Sequence, residues 1–489
     1  MSEGSSILSS RLKDFLRSNI VLVAIVLVAA AVWVVVFRQA VSDYIMMQTW
    51  TGTGQLNLFG FTIHVQFEGW ADYSYYYQTW GNQFLSGYTP YTTLFDYPTP
   101  DHYSPYFFPP LYVYLCALGN LLPFGNFGIA VLLCLFGFAT AFPIYGIAKY
   151  LSQNKRVGEI ATATYLLNPL ILFHVTYDWL NPSPFVFFMM LSFYLIMKQR
   201  RLSGTLAMVT AALFKQTAFF LALPLIAYLI RVAPSKGIPN SEDAETKDVD
   251  EQVPGDQLDV RGFLKLSIIV IVFVVALSIP YILDFLNYAF YIFLKPGSAL
   301  LTDITTLPPS NAPITFTVFL MVLGAPSVVI QFVNLATSYS LLMLIGVVFL
   351  FVPMLLEVKD DRNLPSYWRR MLFLTLLLML SVHIFSPRGI YKYYFVALIP
   401  FFSILSCERM VSRGVGKIPA SLSMIINPFV VTLAILMPSR LVYIGLILLV
   451  FAAYLAHNQF GLIYRLTEEP LSHLRMRIRS GRFSKGPLS

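Results

Sequence analysis

Long apolar runs separated by short polar breaks make up most of this chain. They fall at 20–37, 127–148, 158–176, 183–198, 203–214, 217–231, 263–283, 336–356, 371–385, 390–406, 419–437 and 441–456. Within a bilayer the backbone must satisfy its own hydrogen bonds, so these runs predict helices. Several are shorter than the about 20 residues of a full crossing, which predicts broken or tilted spans among them. The fold class expected is an all-α polytopic membrane protein with about twelve transmembrane helices. Between the first two runs lies a polar and aromatic insert, 38–126, expected as a large first outer loop. Inside it, 104–122 predicts a helix lying at the interface, entered through Pro109 and Pro110, with Tyr112 and Tyr114 suited to that depth.

Composition supports this picture. Hydrophobic residues are 57% of the chain and charged residues 12%, about half the charge of an ordinary soluble domain. The mean hydropathy is +0.67. The net charge of +8 is read as a topology signal, and no nucleic-acid partner is implied. With the N-terminus in the cytoplasm, 27 of the 33 Lys and Arg fall on the cytoplasmic side, as the positive-inside rule requires. A crossing at Leu111–Leu122 would flip every later loop and reverse that bias. The run 20–37 follows Arg11, Lys13 and Arg17 and reads as a retained anchor. Cys116, Cys134 and Cys407 sit in apolar surroundings and imply no disulfide framework.

The chain divides into an N-terminal module, 1–231, a polar cytoplasmic linker, 232–262, and a second transmembrane module, 263–456, with its own outer loop at 284–335. A basic tail, 457–489, is expected to touch the anionic inner leaflet.

This topology collects ionisable groups at the outer face, where charge near a membrane is costly and therefore points to a site. Asp72 follows the first span and stands among Trp70, Tyr75, Tyr76 and Trp80. It is the candidate catalytic base; the alternative is a loop carboxylate that ends a helix. Lys215 interrupts an apolar stretch, with Gln216 and Thr217 beside it. It reads either as a lysine snorkelling to the interface or as a cation for a lipid-linked phosphate. Arg388 follows a helix end, and Lys392 stands one turn further on. Arg388 can grip two phosphate oxygens, with Lys392 as a point charge; the alternative is two interfacial anchors in a tyrosine belt. His383 is a weaker member of this phosphate set. Tyr76, Trp80 and Tyr91 are candidate platforms for sugar rings, and Asp101, Asp178 and Asn181 candidate partners for substrate hydroxyls. Asp101 and His102 are adjacent and lack a spaced third ligand, so no metal site is assigned.

At these residues the chain resembles the GT-C superfamily of integral membrane glycosyltransferases. The likeness is strongest to polyprenyl-phosphate-mannose-dependent alpha-mannosyltransferases. It rests on the order Asp72, Tyr76, Gly87, Pro90, Tyr91, Phe108, Pro109, Pro110, Leu111, then Asn168, Pro169, Leu170 and Lys215. The fit covers the first half of the chain; the second half is alike only in style. The resemblance implies a GT-C-like bundle. It also implies an inverting glycosyltransferase that moves a monosaccharide, mannose by analogy, from a polyprenyl- or dolichyl-phosphate donor to a hydroxyl of a glycan or glycolipid acceptor. Asp72 then serves as base, and Lys215, Arg388, Lys392 and His383 hold the phosphate that leaves.

The residues require no cofactor and leave room for a divalent cation. The partners expected are the lipid-phosphate-sugar donor, the acceptor and membrane lipids. The location expected is a prokaryotic plasma membrane or the endoplasmic-reticulum membrane, with the site outside or lumenal. The rival reading is a transporter or flippase of lipid-linked sugars, although the sequence shows no convincing internal repeat.

Overall fold

The computed structural model describes residues 18–46, 53–58, 61–66, 68–91, 106–230, 259–294, 316–338, 341–356, 365–385 and 392–411. The predicted spans at 419–437 and 441–456, the tail from 457, most of the linker and the side chains of Asp101 and Arg388 lie outside the described residues. The described chain is predominantly helical and belongs to a multi-pass membrane protein. Three of its helical stretches, Ile20–Met46, Gly125–Ser152 and Val260–Ile282, are long and apolar enough to cross a membrane. The number rises to five if each of two bent pairs counts as one span.

The order begins with α1, Ile20–Met46, and a hairpin of β1, Thr53–Leu58, and β2, Phe61–Gln66. Next come α2, Glu68–Asp72, a π turn at Tyr73–Tyr77, and α3, Gln78–Leu85. Then follow α4, Pro110–Leu121; α5, Gly128–Ala139; α6, Ala141–Ser152; and α7, Lys155–Leu166. A short α8, Pro169–Ile171, runs into a second π turn, Leu172–Tyr177. After it stand α9, Ser183–Met197; α10, Arg201–Phe214; a 3-10 turn, Gln216–Leu221; and α11, Ala222–Leu229. The second half holds α12, Val260–Ile282; α13, Phe285–Ala289; α14, Phe316–Val322; α15, Ser327–Ser338; α16, Leu341–Leu356; α17, Pro365–Phe385; a 3-10 turn, Lys392–Ala397; and α18, Ile399–Val411.

Among the described elements, the hairpin is a local departure from a helical chain. Its antiparallel register sets Gln55 opposite His64, Leu56 opposite Ile63, Asn57 opposite Thr62 and Leu58 opposite Phe61. Polar residues thus pair with polar ones and apolar with apolar, the period-2 signature of a strand pair.

The segment after Pro109 is a helix, as expected, and begins where proline permits. Pro110 takes the first helical position, where a missing N–H costs nothing. The Tyr106 hydroxyl donates to Pro109 O at 2.7 Å and accepts from Val113 N at 2.9 Å, so it bridges the carbonyl and the N–H that pair in the first turn. Twelve residues span about 18 Å at 1.5 Å each, too short for a crossing. Helix α4 packs on α3, α5 and α10.

The break between α7 and α8 is built from the same chemistry. Pro169 opens α8 and Asn168 caps it, its Oδ1 accepting from Leu170 N at 3.0 Å. Leu170 N is thereby withdrawn from Leu166 O, the acceptor it would have in an uninterrupted helix. The indole N–H of Trp33 donates to that carbonyl at 2.8 Å. In this way α1, most of whose surface is exposed, is pinned to the bundle. Gly137 lies where α1, α5 and the second π turn converge. A Cβ there would come within 2.5 Å of Val175 and 3.1 Å of Trp33.

Candidate functional site

The site begins with a departure from α-helical spacing. A π turn adds one residue per turn, so residue i+5 takes the place that i+4 holds in an α-helix. The Gln78 backbone N–H accordingly bonds Tyr73 O, and Tyr77 comes under Asp72. The Tyr77 hydroxyl donates to Asp72 Oδ2 at 3.4 Å. Tyr76, one α-turn from Asp72, stacks instead on Trp80 with centroids 5.4 Å apart. Burial first, and the charge of Asp72 second, hold the Tyr77 phenol well above its ordinary pKa. Tyr77 is therefore a neutral donor at physiological pH.

The opposite wall comes from the turn after the second π turn. Trp179 adopts a left-handed conformation, φ 52°, which bends the chain so that buried Asn181 meets the first π turn. Asn181 Nδ2 donates to the Tyr77 hydroxyl at 3.0 Å. Its other end, Oδ1, accepts from Lys215 Nζ at 2.9 Å. Asp72, Tyr77, Asn181 and Lys215 thus form one hydrogen-bonded line with a carboxylate at one end and an ammonium at the other.

Lys215 occupies a break. It ends α10 in an extended conformation, φ −152° and ψ 131°, and the following 3-10 turn starts again at Gln216. Its amine lies 5.6 Å from the ring centroid of Phe185, 5.4 Å from Tyr393 and 5.0 Å from Tyr394. Rings at this distance attract a cation by about 0.5–2 kcal/mol each, more as water is excluded. His383 packs on Tyr394 with centroids 4.9 Å apart, and its Nδ1 bonds Met379 O. Gln216 Nε2 donates to Phe107 O, tying the segment before Pro109 to the same break.

Asp178 is fully buried and acts at the back of this wall. Its Oδ1 accepts from Gly69 N at 3.1 Å, and its Oδ2 lies 3.7 Å from His174 Nδ1. A Cβ on Gly69 would fall 1.8 Å from Asp178 O. Only a glycine lets α2 approach so closely. Nearby, the Trp70 indole donates to Tyr177 O at 2.7 Å and the Tyr177 hydroxyl to Asp43 Oδ2 at 2.7 Å. These contacts clamp α1, α2 and the second π turn together.

The structure therefore brings Asp72, Asn181, Lys215 and His383 to one region, although they are far apart in sequence. It adds Tyr77, which the sequence reading passed over for Tyr76, and the rings of Phe185, Tyr393 and Tyr394. Trp80 is only 2% exposed. It is enclosed by Tyr76, Tyr77, Tyr106 and Phe108 and serves as core. Tyr91 is also core: its hydroxyl donates to Phe108 O at 2.8 Å, and its ring meets Tyr281 and Tyr288. Lys392 opens the 3-10 turn that carries Tyr393 and Tyr394. Among the described residues no three His, Cys, Asp or Glu side chains gather as a metal site would need.

The chain is similar to one family model, that of the GPI transamidase subunit PIG-U, over residues 99–300, about two-fifths of its length. The match takes in Asp178, Asn181 and Lys215 and stops short of Asp72. No curated protein matches the chain. The family match overturns the assignment to the GT-C mannosyltransferases. With it fall the enzymatic transfer of mannose, the flippase alternative, the polyprenyl- or dolichyl-phosphate-sugar donor and the glycan or glycolipid that would accept the sugar.

The structure gives a physical reason for the misreading. Gly87 supplies a turn with φ 87°, Tyr91 fills the core, Phe108 O accepts a hydrogen bond, and Pro109 and Pro110 start a helix. These residues of the resemblance shape the turn, the core and the helix start around α4, a task separate from any sugar chemistry.

Proposed function

We propose that this chain is a non-catalytic subunit of a GPI-transamidase-type assembly in the endoplasmic-reticulum membrane. In this reading it holds the phosphate-bearing headgroup of a glycosylphosphatidylinositol-type lipid on the lumenal side, while partner subunits act on the protein substrate. The observation that carries the reading is the Lys215 ammonium. It is set among Phe185, Tyr393 and Tyr394 and oriented by Asn181, inside the stretch matched by the family model.

A lysine suits a phosphate as a compact point charge, and its pull strengthens where rings displace water. Asp72, at the other end of the line, accepts from hydroxyl donors such as those of a glycan. Arg388 and Lys392 belong to the same phosphate set in this reading. The reading also keeps a GT-C-like bundle of about twelve crossings; three to five of them are long and apolar enough among the described residues.

The test is binding of a glycosylphosphatidylinositol-type lipid to the full chain in nanodiscs. Loss of one charge-assisted contact, about 1.5–3 kcal/mol, predicts about a 10- to 100-fold weaker Kd for Lys215→Met. An unchanged Kd in a folded Lys215→Met protein overturns the reading.

A further inference from the structure

The stretch 304–356 contains no charged residue, yet it does not form one continuous helix. The break is local. Gly324 follows α14 with φ 69°, the left-handed conformation that glycine adopts freely. Gly324 N bonds Met321 O at 3.1 Å and Ala325 N bonds Leu320 O at 3.0 Å, so the turn serves the last carbonyls of α14. Pro326 O then accepts from Val329 N at 2.9 Å and from Ile330 N at 3.1 Å, and α15 begins. Helix α15 has 12 residues, about 18 Å at 1.5 Å each, short of the about 30 Å that a crossing needs. It meets the apolar α16 with a bend of 69°, so the two do not continue one straight span.

The faces of α15 are sorted by polarity. At about 100° per residue, Ser327, Gln331 and Asn334 share an arc of about 60°. All three are exposed. Val328, Phe332 and Leu335 fill the next arc of about 60°. They are 74%, 68% and 59% exposed, whereas a core helix would bury them. On the remaining side Ala336 and Thr337 are buried and Ile330 and Val333 half-buried; the neighbours of the helix are α14 and α16. Two exposed surfaces of opposite polarity thus run side by side along α15. A protein partner buries an apolar centre inside a polar rim, which would set polar residues on both sides of the stripe. Here they lie on one side, and Val329 and Ala336 continue the apolar surface on the other. That is the pattern of a helix at a planar boundary between water and hydrocarbon. The polar arc bears amides and a hydroxyl but no charge, so apolar burial, and not attraction to acidic headgroups, supplies the contact.

We propose that α15 lies in the plane of the membrane and binds the phospholipid interface. Val328, Phe332 and Leu335 sit at the boundary between headgroups and acyl chains, and Ser327, Gln331 and Asn334 turn toward the headgroup water. An apolar face placed this way is immersed by about 5–10 Å. The proposal is independent of the Lys215 site.

The experiment measures depth in the full-length protein, reconstituted in phosphatidylcholine nanodiscs. A fluorescent amino acid is placed singly at Val328, Phe332, Leu335 or Gln331. Quenching is read with lipid brominated on the acyl chain and with aqueous iodide. Val328 and Leu335 stand about 10 Å apart along the helix axis. An in-plane helix holds them at one depth, so the acyl bromines are expected to quench all three apolar positions alike, within about twofold. Iodide is expected to quench Gln331 at least about threefold more than Phe332, its neighbour in sequence. Acyl quenching that changes steadily by more than about twofold from Val328 to Leu335 means that α15 runs across the membrane, and overturns the proposal. Iodide that reaches Phe332 as well as Gln331 puts the helix in water and overturns it too. So does a Phe332 label reached by neither quencher, which means that protein covers the stripe. All four labelled side chains are exposed. Should one variant fail to fold, any two of the three apolar positions still give the depth comparison, and either of the others replaces Phe332 in the iodide comparison.

Discussion

Lys215 Nζ donates to Asn181 Oδ1 at 2.9 Å, across 34 residues of chain and between two separate breaks in helical structure. Each residue sits where a helix has just failed: Lys215 at the extended end of α10, Asn181 two residues after the left-handed Trp179. The amide of Asn181 has one face for the ammonium and the other for Tyr77. Replacing it with leucine removes both bonds at once and leaves the Lys215 charge poorly served. Asn181→Leu is expected to weaken glycolipid binding about tenfold or more, by the about 1.5–3 kcal/mol of a hydrogen bond to a charged group. Isothermal titration in nanodiscs measures it, and an unchanged Kd would mean that the amide does not orient the lysine.

The π turn makes a sharper prediction. Five-residue spacing puts Tyr77, and not Tyr76, on Asp72. Tyr77→Phe keeps the ring but removes the hydroxyl shared by Asp72 and Asn181. It is expected to cost about 1–3 kcal/mol of stability, because the Asn181 donor is buried. Tyr76→Phe leaves the Asp72–Tyr77–Asn181 bonds in place and is expected to cost less stability than Tyr77→Phe. Parallel thermal unfolding of the two variants decides the matter. Equal effects would show that the turn does not select between the two tyrosines.

Asp178 was a candidate for binding acceptor hydroxyls, and its position supports another role. It is buried against the backbone of Gly69. Gly69→Ala places a Cβ 1.8 Å from a backbone oxygen, where no flexible side chain can yield. The expected loss exceeds about 3 kcal/mol, beyond the ordinary range of single substitutions. It should appear as a large fall in Tm or in folded yield. A Gly69→Ala protein with wild-type Tm would refute the close approach of α2 to this turn.

The pin between α1 and the bundle is testable with one substitution. Trp33→Phe keeps an aromatic ring on α1 and removes the indole donor to Leu166 O together with the outer ring atoms that approach Gly137. Leaving that carbonyl unserved is expected to destabilise by about 1–3 kcal/mol. A Tm change of less than a degree would mean that the carbonyl finds another partner.

Particular residues show what the sequence conveyed and what it hid. The apolar runs marked the helices because membrane burial dictates composition directly, and Asn168 with Pro169 marked the α8 turn through capping chemistry. Lys215 was legible as a break between two half-length apolar helices. Tyr77 was not, since α-helical spacing points to Tyr76 and nothing in a run of tyrosines announces a π turn. Trp80 and Tyr91 illustrate a second limit. A tryptophan near a carboxylate looks the same in sequence whether its ring is open to a ligand or enclosed by Tyr106 and Phe108. The hairpin at Thr53–Gln66 did carry a period-2 pattern, but the pattern is short and stands between long membrane runs that dominate the reading. Finally, the meeting of residues 72, 181, 215 and 394 depends on long-range packing, which no local pattern encodes.

The central claim is that Lys215 holds the phosphate of a glycosylphosphatidylinositol-type lipid. The most direct measurement compares such a lipid with its dephosphorylated counterpart, using wild-type, Lys215→Met and Lys215→Arg proteins in nanodiscs. The account predicts that the wild type prefers the phosphorylated lipid by about 10- to 100-fold. Lys215→Met should lose that preference, and Lys215→Arg should keep part of it. Equal binding of the two lipids by the wild type, or an undiminished preference in folded Lys215→Met, would contradict it.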